Sequence, residues 1–180
     1  MLNKISIIGC GLIGSSILRS VKKNKMSKSI QVYDKSKEVN SFLKEEKFSE
    51  HISNDISSVV KNSDLIIIAA PLSSYKEIFL SIKDHINKQT IVTDTGSVKR
   101  EVNKIIEGFN LNNVSWIASH PIAGTEESGP KAGFAELFVN RWCIICPEEN
   151  TKKDDLEKVK KFWELLGSKT KIMSSSEHDY

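Results

Sequence analysis

At 180 residues, with 39% hydrophobic and 27% charged residues, the chain has the balance of one folded domain that needs no disulfide or metal staple to bury a core. Lys and Arg number 26 against 23 Asp and Glu, and the lysines are scattered, so the net charge of +3 argues against a nucleic-acid partner. Three cysteines are too few for a disulfide framework and no apolar run reaches the length of a membrane span, so the chain reads as cytoplasmic.

Short apolar runs alternate with longer amphipathic segments. Residues 4–8 form the first strand. The apolar stretch that continues to Leu18 is interrupted by Gly9, Gly11 and Gly14, which suits a strand and a tight turn into a helix rather than a leader segment. Further strands are expected at 29–33, 64–69, 90–93, 115–119, 142–146 and 169–172. Most are continuous apolar runs, as in strands covered on both faces. Ser74 and Glu77 have capping-box spacing before Ile78, Phe79 and Ile82. Ser97 is placed to cap a helix carrying Val98, Val102, Ile105 and Ile106, which Gly108 can close. Thr151 is placed to cap another, whose stripe is Leu156, Val159, Phe162, Trp163 and Leu166, with Gly167 ending it in a left-handed conformation. The pattern predicts an α/β fold, a doubly wound, mostly parallel sheet with helices on both faces.

Chemistry concentrates at the expected C-terminal ends of strands. Gly9-Cys10-Gly11-Leu12-Ile13-Gly14 is a G-x-G-x-x-G turn between a strand and a helix. It is suited to a dinucleotide pyrophosphate, with Leu12 and Ile13 opening the helix that faces it. Asp34 ends the next strand, 20 residues on, where a carboxylate accepts from ribose hydroxyls. It also repels a 2′-phosphate, which favours NAD over NADP. Lys35 and Lys37 can offset that repulsion or simply sit in a solvated turn. Ala69, Ala70 and Pro71 stand at the end of a third strand and are placed to line the cofactor cleft. Ser97 follows a fourth, and its hydroxyl can cap a helix or meet a ligand. His120 ends a fifth strand, placed to handle a proton near neutral pH, and Gly124 beyond it lets backbone approach a ligand. His51 and His85 lack such settings and read as surface residues. Cys143 and Cys146 have C-x-x-C spacing but lie in a strand, where residues three apart face opposite ways. Core thiols fit better than a metal or redox pair.

Four stretches in order give the chain its resemblance to the prephenate/arogenate dehydrogenases of tyrosine biosynthesis. They are the glycine turn with Asp34, the D-x-G-S-V-K stretch from Asp94 to Lys99, the H-P-I-A-G-T-E-x-S-G stretch from His120 to Gly129, and Glu177-His178-Asp179. The resemblance implies a Rossmann-type, NAD-binding half over residues 1–173 and the start of a helical dimerisation and substrate domain at 174–180. It implies an oxidoreductase that oxidatively decarboxylates prephenate or arogenate, with His120 accepting the ring-hydroxyl proton and Ser97 hydrogen-bonding near that hydroxyl. Glu126 helps to shape the substrate pocket, with Gly124 and Thr125 beside it. Dimerisation and the arginine for the substrate carboxylate are implied to lie in the helical domain, so this chain alone is expected to be inactive. Two other readings share the glycine turn: a β-hydroxyacid-type dehydrogenase, which the His120–Gly129 stretch disfavours, and a non-catalytic NAD-binding module.

Overall fold

A computed structural model describes residues 1–49, 51–87, 89–109 and 114–180. Among these residues eight strands form one sheet: β1 (Leu2–Ile8), β2 (Ser27–Tyr33), β3 (His51–Ile52), β4 (Leu65–Ile68), β5 (Ile91–Asp94), β6 (Ser115–Pro121), β7 (Trp142–Pro147) and β8 (Lys169–Ile172), in the order β3-β2-β1-β4-β5-β6-β7-β8. All neighbours are parallel except β6 and β7, which pair antiparallel with His120 opposite Ile144. The chain winds outward from β1 to β3 and restarts on the other side at β4. The crevice at that reversal, beyond Ile8 and Ile68, is where a doubly wound sheet binds ligands.

Among the described residues seven α-helices cover the two faces: α1 (Leu12–Lys23), α2 (Lys37–Glu45), α3 (Ile56–Val60), α4 (Tyr75–Ile82), α5 (Lys99–Glu107), α6 (Lys153–Leu165) and α7 (Ser175–His178). Alternation along the buried strands divides the core. Leu65 and Ile67 join the cluster under α1 and α6, while Ile66 and Ile68 join the cluster under α4 and α5. Cys143 and Cys146 fall into opposite clusters, as the strand reading requires. They and Cys10 are buried free thiols. His51 and His85 are exposed. The sheet edges are β3, only two residues long, and β8, which carries Lys169 and Lys171. A short strand and charged side chains both discourage pairing with another chain.

Three caps differ from expectation. Ser74 ends a 3-10 turn and already has helical φ and ψ, so its hydroxyl does not reach the first orphan N–H groups of α4. α6 begins two residues after Thr151, with Lys152 as its cap, and the Thr151 hydroxyl is buried with no partner among the described residues. Val98, not Ser97, is the cap residue of α5, and its side chain can accept nothing. Gly167 does adopt the left-handed conformation, at φ +96°. β3, α2 (capped by Ser36, which accepts from Val39 N) and α3 (capped by Asp55, which accepts from Ser57 N) lie outside the elements that the pattern predicts.

Trp163 is fully buried on α6, edge-on to both Phe138 and Phe162. Trp163→Ala should destabilise the fold by about 3–5 kcal/mol, the usual cost of emptying a large aromatic site. Urea unfolding followed by circular dichroism measures it.

Candidate functional site

The glycine turn closes against the end of β4. Gly9 has φ +89°, and a Cβ there would lie 2.6 Å from the Ala69 carbonyl oxygen. A Cβ on Gly14 would lie within 3 Å of both the carbonyl oxygen and the carbonyl carbon of Gly9. Both glycines are therefore demanded by the fold itself. Gly11 differs: its φ is −67° and nothing lies within 4 Å of where its Cβ would be. The protein makes no use of that space, so the turn holds open room at the N-terminus of α1, where backbone N–H groups and the helix dipole favour an anion. Gly124 also has nothing within 4 Å of its missing Cβ.

A cleft of about 750 Å³ opens from this turn. It is lined by Gly9, Gly11, Leu12 and Ile13 on one side, Asp34 at one end, and Ala69, Ala70 and Pro71 on the other. Gly14 lies beneath it. Asp34 Oδ2 accepts from Cys10 N at 2.6 Å and Oδ1 accepts from Ser36 N at 2.8 Å, so the carboxylate braces the turn while keeping lone pairs toward the cleft. Burial, with the Asp34 charge second, pushes the Cys10 thiol well above its usual range. Sequence reasoning missed Tyr33, Glu77, Thr95, Gly129 and Pro130 as lining residues. Thr95 and Gly129 stand inside stretches already singled out, which was the signal for them.

Beyond the cleft, β5 and β6 end in a buried polar network. Lys99 Nζ donates to Asp94 Oδ2 at 2.7 Å and to the Ser119 carbonyl at 2.6 Å, and neither side chain of this ion pair is exposed. Asp94 also accepts from the Tyr75 hydroxyl at 3.0 Å, Gly96 N at 2.9 Å and Ser119 N at 3.0 Å. Burial, then the Asp94 charge, pushes the Tyr75 phenol far above its usual range, so it stays a donor.

His120 is half-buried above this network. Its Nδ1 lies 2.9 Å from His178 Nε2, and His178 Nδ1 lies 2.6 Å from Asp179 Oδ1. Burial, then the Lys99 charge and His178, lowers the His120 pKa to about 4, so the ring is neutral at physiological pH. Asp179 also accepts from Lys99 N at 2.9 Å and Arg100 N at 2.8 Å, taking the capping role expected of Ser97. The Ser97 side chain is thus left exposed at the start of α5, without a hydrogen bond among the described residues. Thr125 and Glu126 lie on an exposed loop with Gly124, outside the cleft, and the Thr125 hydroxyl turns back to Glu127 N at 3.2 Å. The site therefore has a formed cleft, a formed histidine pair and an open loop beside them.

A family profile described as the nucleotide-binding domain of prephenate dehydrogenase matches residues 17–172. The chain is 35% identical over 176 residues to cyclohexadienyl dehydrogenase of Zymomonas mobilis, covering 98% of this chain and 60% of that protein. It is 30% identical to prephenate dehydrogenase of Bacillus subtilis, covering 99% of this chain and 48% of that protein. It superimposes with a TM-score of 0.90 and 27% identity on the crystal structure of Aquifex aeolicus prephenate dehydrogenase in complex with hydroxyphenyl propionate and NAD+, covering 100% of this chain and 63% of that one. The chain thus spans between about half and two thirds of the length of these relatives.

The division of the glycines is measurable. Gly14→Ala should cost about 1–3 kcal/mol as an overpacked contact with backbone, whereas Gly11→Ala should stay within about 0.5 kcal/mol, as a substitution into open space does. Denaturant midpoints of the two variants make the comparison.

Proposed function

Because the chain belongs to the prephenate dehydrogenase family through its nucleotide-binding domain, we propose that it is the cofactor-binding part of an NAD-dependent enzyme that oxidatively decarboxylates prephenate or arogenate. The observation that carries this reading is a neutral, half-buried imidazole set at the end of β6, in a sheet whose glycine turn borders a space that no protein atom fills. In this reading the N–H groups around Gly11, Leu12 and Ile13 bind the pyrophosphate, Asp34 accepts from the adenosine ribose, and Ala70 and Pro71 border the cleft. When bound, the nicotinamide supplies a hydride acceptor for the carbon bearing the ring hydroxyl.

His120 takes the hydroxyl proton at the same centre. Ser97, with its hydroxyl unengaged, donates or accepts one hydrogen bond beside that group. Loss of carbon dioxide then sends its bonding pair through the ring to the new carbonyl oxygen, which takes a proton back as the aromatic ring forms, so the protein chiefly needs to position reactants and hold one base in its neutral form. Glu126, Thr125 and Gly124 form the substrate side of the loop after β6. None of Arg19, Arg100 and Arg141 lines the cleft. We assign the substrate carboxylate and the dimer contact to the helical remainder of the full-length enzyme. NAD is preferred to NADP because the Asp34 carboxylate, which lines the cleft, repels a 2′-phosphate.

Nucleotide binding is tested by calorimetric titration. Gly11→Val should abolish NAD binding while the chain stays folded, and Asp34→Ala should weaken NAD more than NADP. Unchanged NAD affinity in the valine variant would sink the assignment. The base is tested with this domain joined to the remainder of the Zymomonas mobilis relative. His120→Asn should lower turnover by about 100- to 10,000-fold, the range for a general base, with cofactor affinity preserved.

A base must be unprotonated to act, and the folded pKa lies below the ordinary histidine value. Activity should therefore persist below neutrality and be lost only as pH falls through about 4. A rate that instead fell near the ordinary histidine pKa would show that His120 is not held neutral in this way. Linkage has the same sign. Between those two values the unfolded chain binds the proton that folded His120 refuses, so this contribution to stability shrinks as pH falls across that window.

A further inference from the structure

Asp179, His178 and His120 form a chain of side chains in which each hydrogen-bonding role follows from its neighbour. The His178 and Asp179 side chains are 7% and 11% exposed, so water competes little for their contacts. Burial alone would raise the Asp179 pKa, but hydrogen bonds from Lys99 N, Arg100 N and His178 outweigh it and hold the carboxyl below the usual range. An ionised carboxylate can only accept, so the proton in the 2.6 Å contact belongs to His178 Nδ1. A neutral imidazole protonated there has only a lone pair at Nε2. With His178 in this neutral form, His120 Nδ1, 2.9 Å away, donates to it. That leaves the lone pair of His120 on its own Nε2. This nitrogen has no protein partner among the described residues and is not among the buried unpartnered atoms, so it is open to solvent.

We propose that His178, fixed by Asp179, is a positioning residue that selects the His120 tautomer, placing the proton on Nδ1 and leaving the Nε2 lone pair free for the substrate proton. The purpose of the arrangement rests on His120 being the proton acceptor, but the tautomer is a property of the chain without cofactor or substrate. The opposite arrangement would make His178 an imidazolium donating to His120 Nδ1 and would leave His120 protonated on Nε2, unable to accept. The ionic groups around His120 are Lys99, Asp94, His178 and Asp179. The Lys99 ammonium opposes a second cation in this cluster. When His120 takes a proton at Nε2, its Nδ1–H stays on His178, and the new positive charge faces Asp179 through that ring without any bond having to break.

The test is long-range proton–nitrogen NMR on the chain labelled with nitrogen-15 histidine, free of ligand and near neutral pH. His120 should show one tautomer, with Nδ1 protonated and Nε2 bare. His178→Leu removes the acceptor while keeping an apolar side chain of similar size, and His120 should then move toward the Nε2–H form. His178→Gln offers a carbonyl oxygen to His120 Nδ1 and should restore the original pattern. A dispersed amide spectrum shows that each variant is folded. A protonated His120 Nε2 in the parent chain overturns the proposal whatever the variants do. An unchanged tautomer in folded His178→Leu overturns the role of His178. Neither result bears on whether NAD binds, which the Gly11 and Asp34 variants decide separately.

Discussion

The buried pair of Lys99 and Asp94 is the constraint on which the end of the sheet that carries His120 depends. Its members lie on different elements, Asp94 at the end of β5 and Lys99 at the start of α5; Ser119 on β6 bonds both, and Tyr75 on α4 donates to Asp94. Such a pair adds little net stability, because desolvation of both ions offsets their attraction, yet losing one partner costs about 3–5 kcal/mol. Its effect is therefore geometric. Four elements meet at one carboxylate and one ammonium, so a shift of any of them breaks a buried hydrogen bond to a charged group. The Ser97 turn and His120, both anchored to these elements, inherit that rigidity. The same ammonium adds to burial, the larger cause, in disfavouring protonation of the histidine above it.

A second layer of constraint reaches the same turn from the end of the chain. α7 is held by a capping box between Ser174 and Glu177, and this short helix delivers His178 and Asp179 to the start of α5. Asp179 satisfies the first N–H groups of α5 that no local side chain reaches. The helix terminus and the histidine chain are thus joined through one carboxylate, and disturbing α7 would loosen the turn that carries Ser97.

The sheet was legible in the sequence because continuous apolar runs have few other places to go, and each of the seven expected strands has a counterpart. The glycine turn and Asp34 were legible too, since their spacing follows from the geometry of one strand, one turn and one helix. The caps were not. Whether Ser74, Ser97 or Thr151 caps a helix depends on backbone angles one residue to either side and, for α5, on a carboxylate 80 residues away. Nor does local pattern reveal that His178 meets His120, 58 residues apart. β3 is too short for any periodicity to register, while α2 and α3 carried usable signals in the polar residues Ser36 and Asp55 that precede them.

The three cysteines have a consequence for how the molecule behaves as a chemical object. All are buried, and burial is the first cause raising each thiol pKa, so almost no thiolate is presented to a reagent while the fold is intact. They are also spread across the domain: Cys10 under the glycine turn, Cys143 and Cys146 on opposite faces of β7. Alkylation of any one of them must wait for the structure around it to open. The rate at which each sulfur is modified then reads the opening frequency of its own region, and the difference between Cys10 and the β7 pair separates breathing of the cleft from unfolding of the sheet. The domain thus carries its own internal clocks, without an added probe.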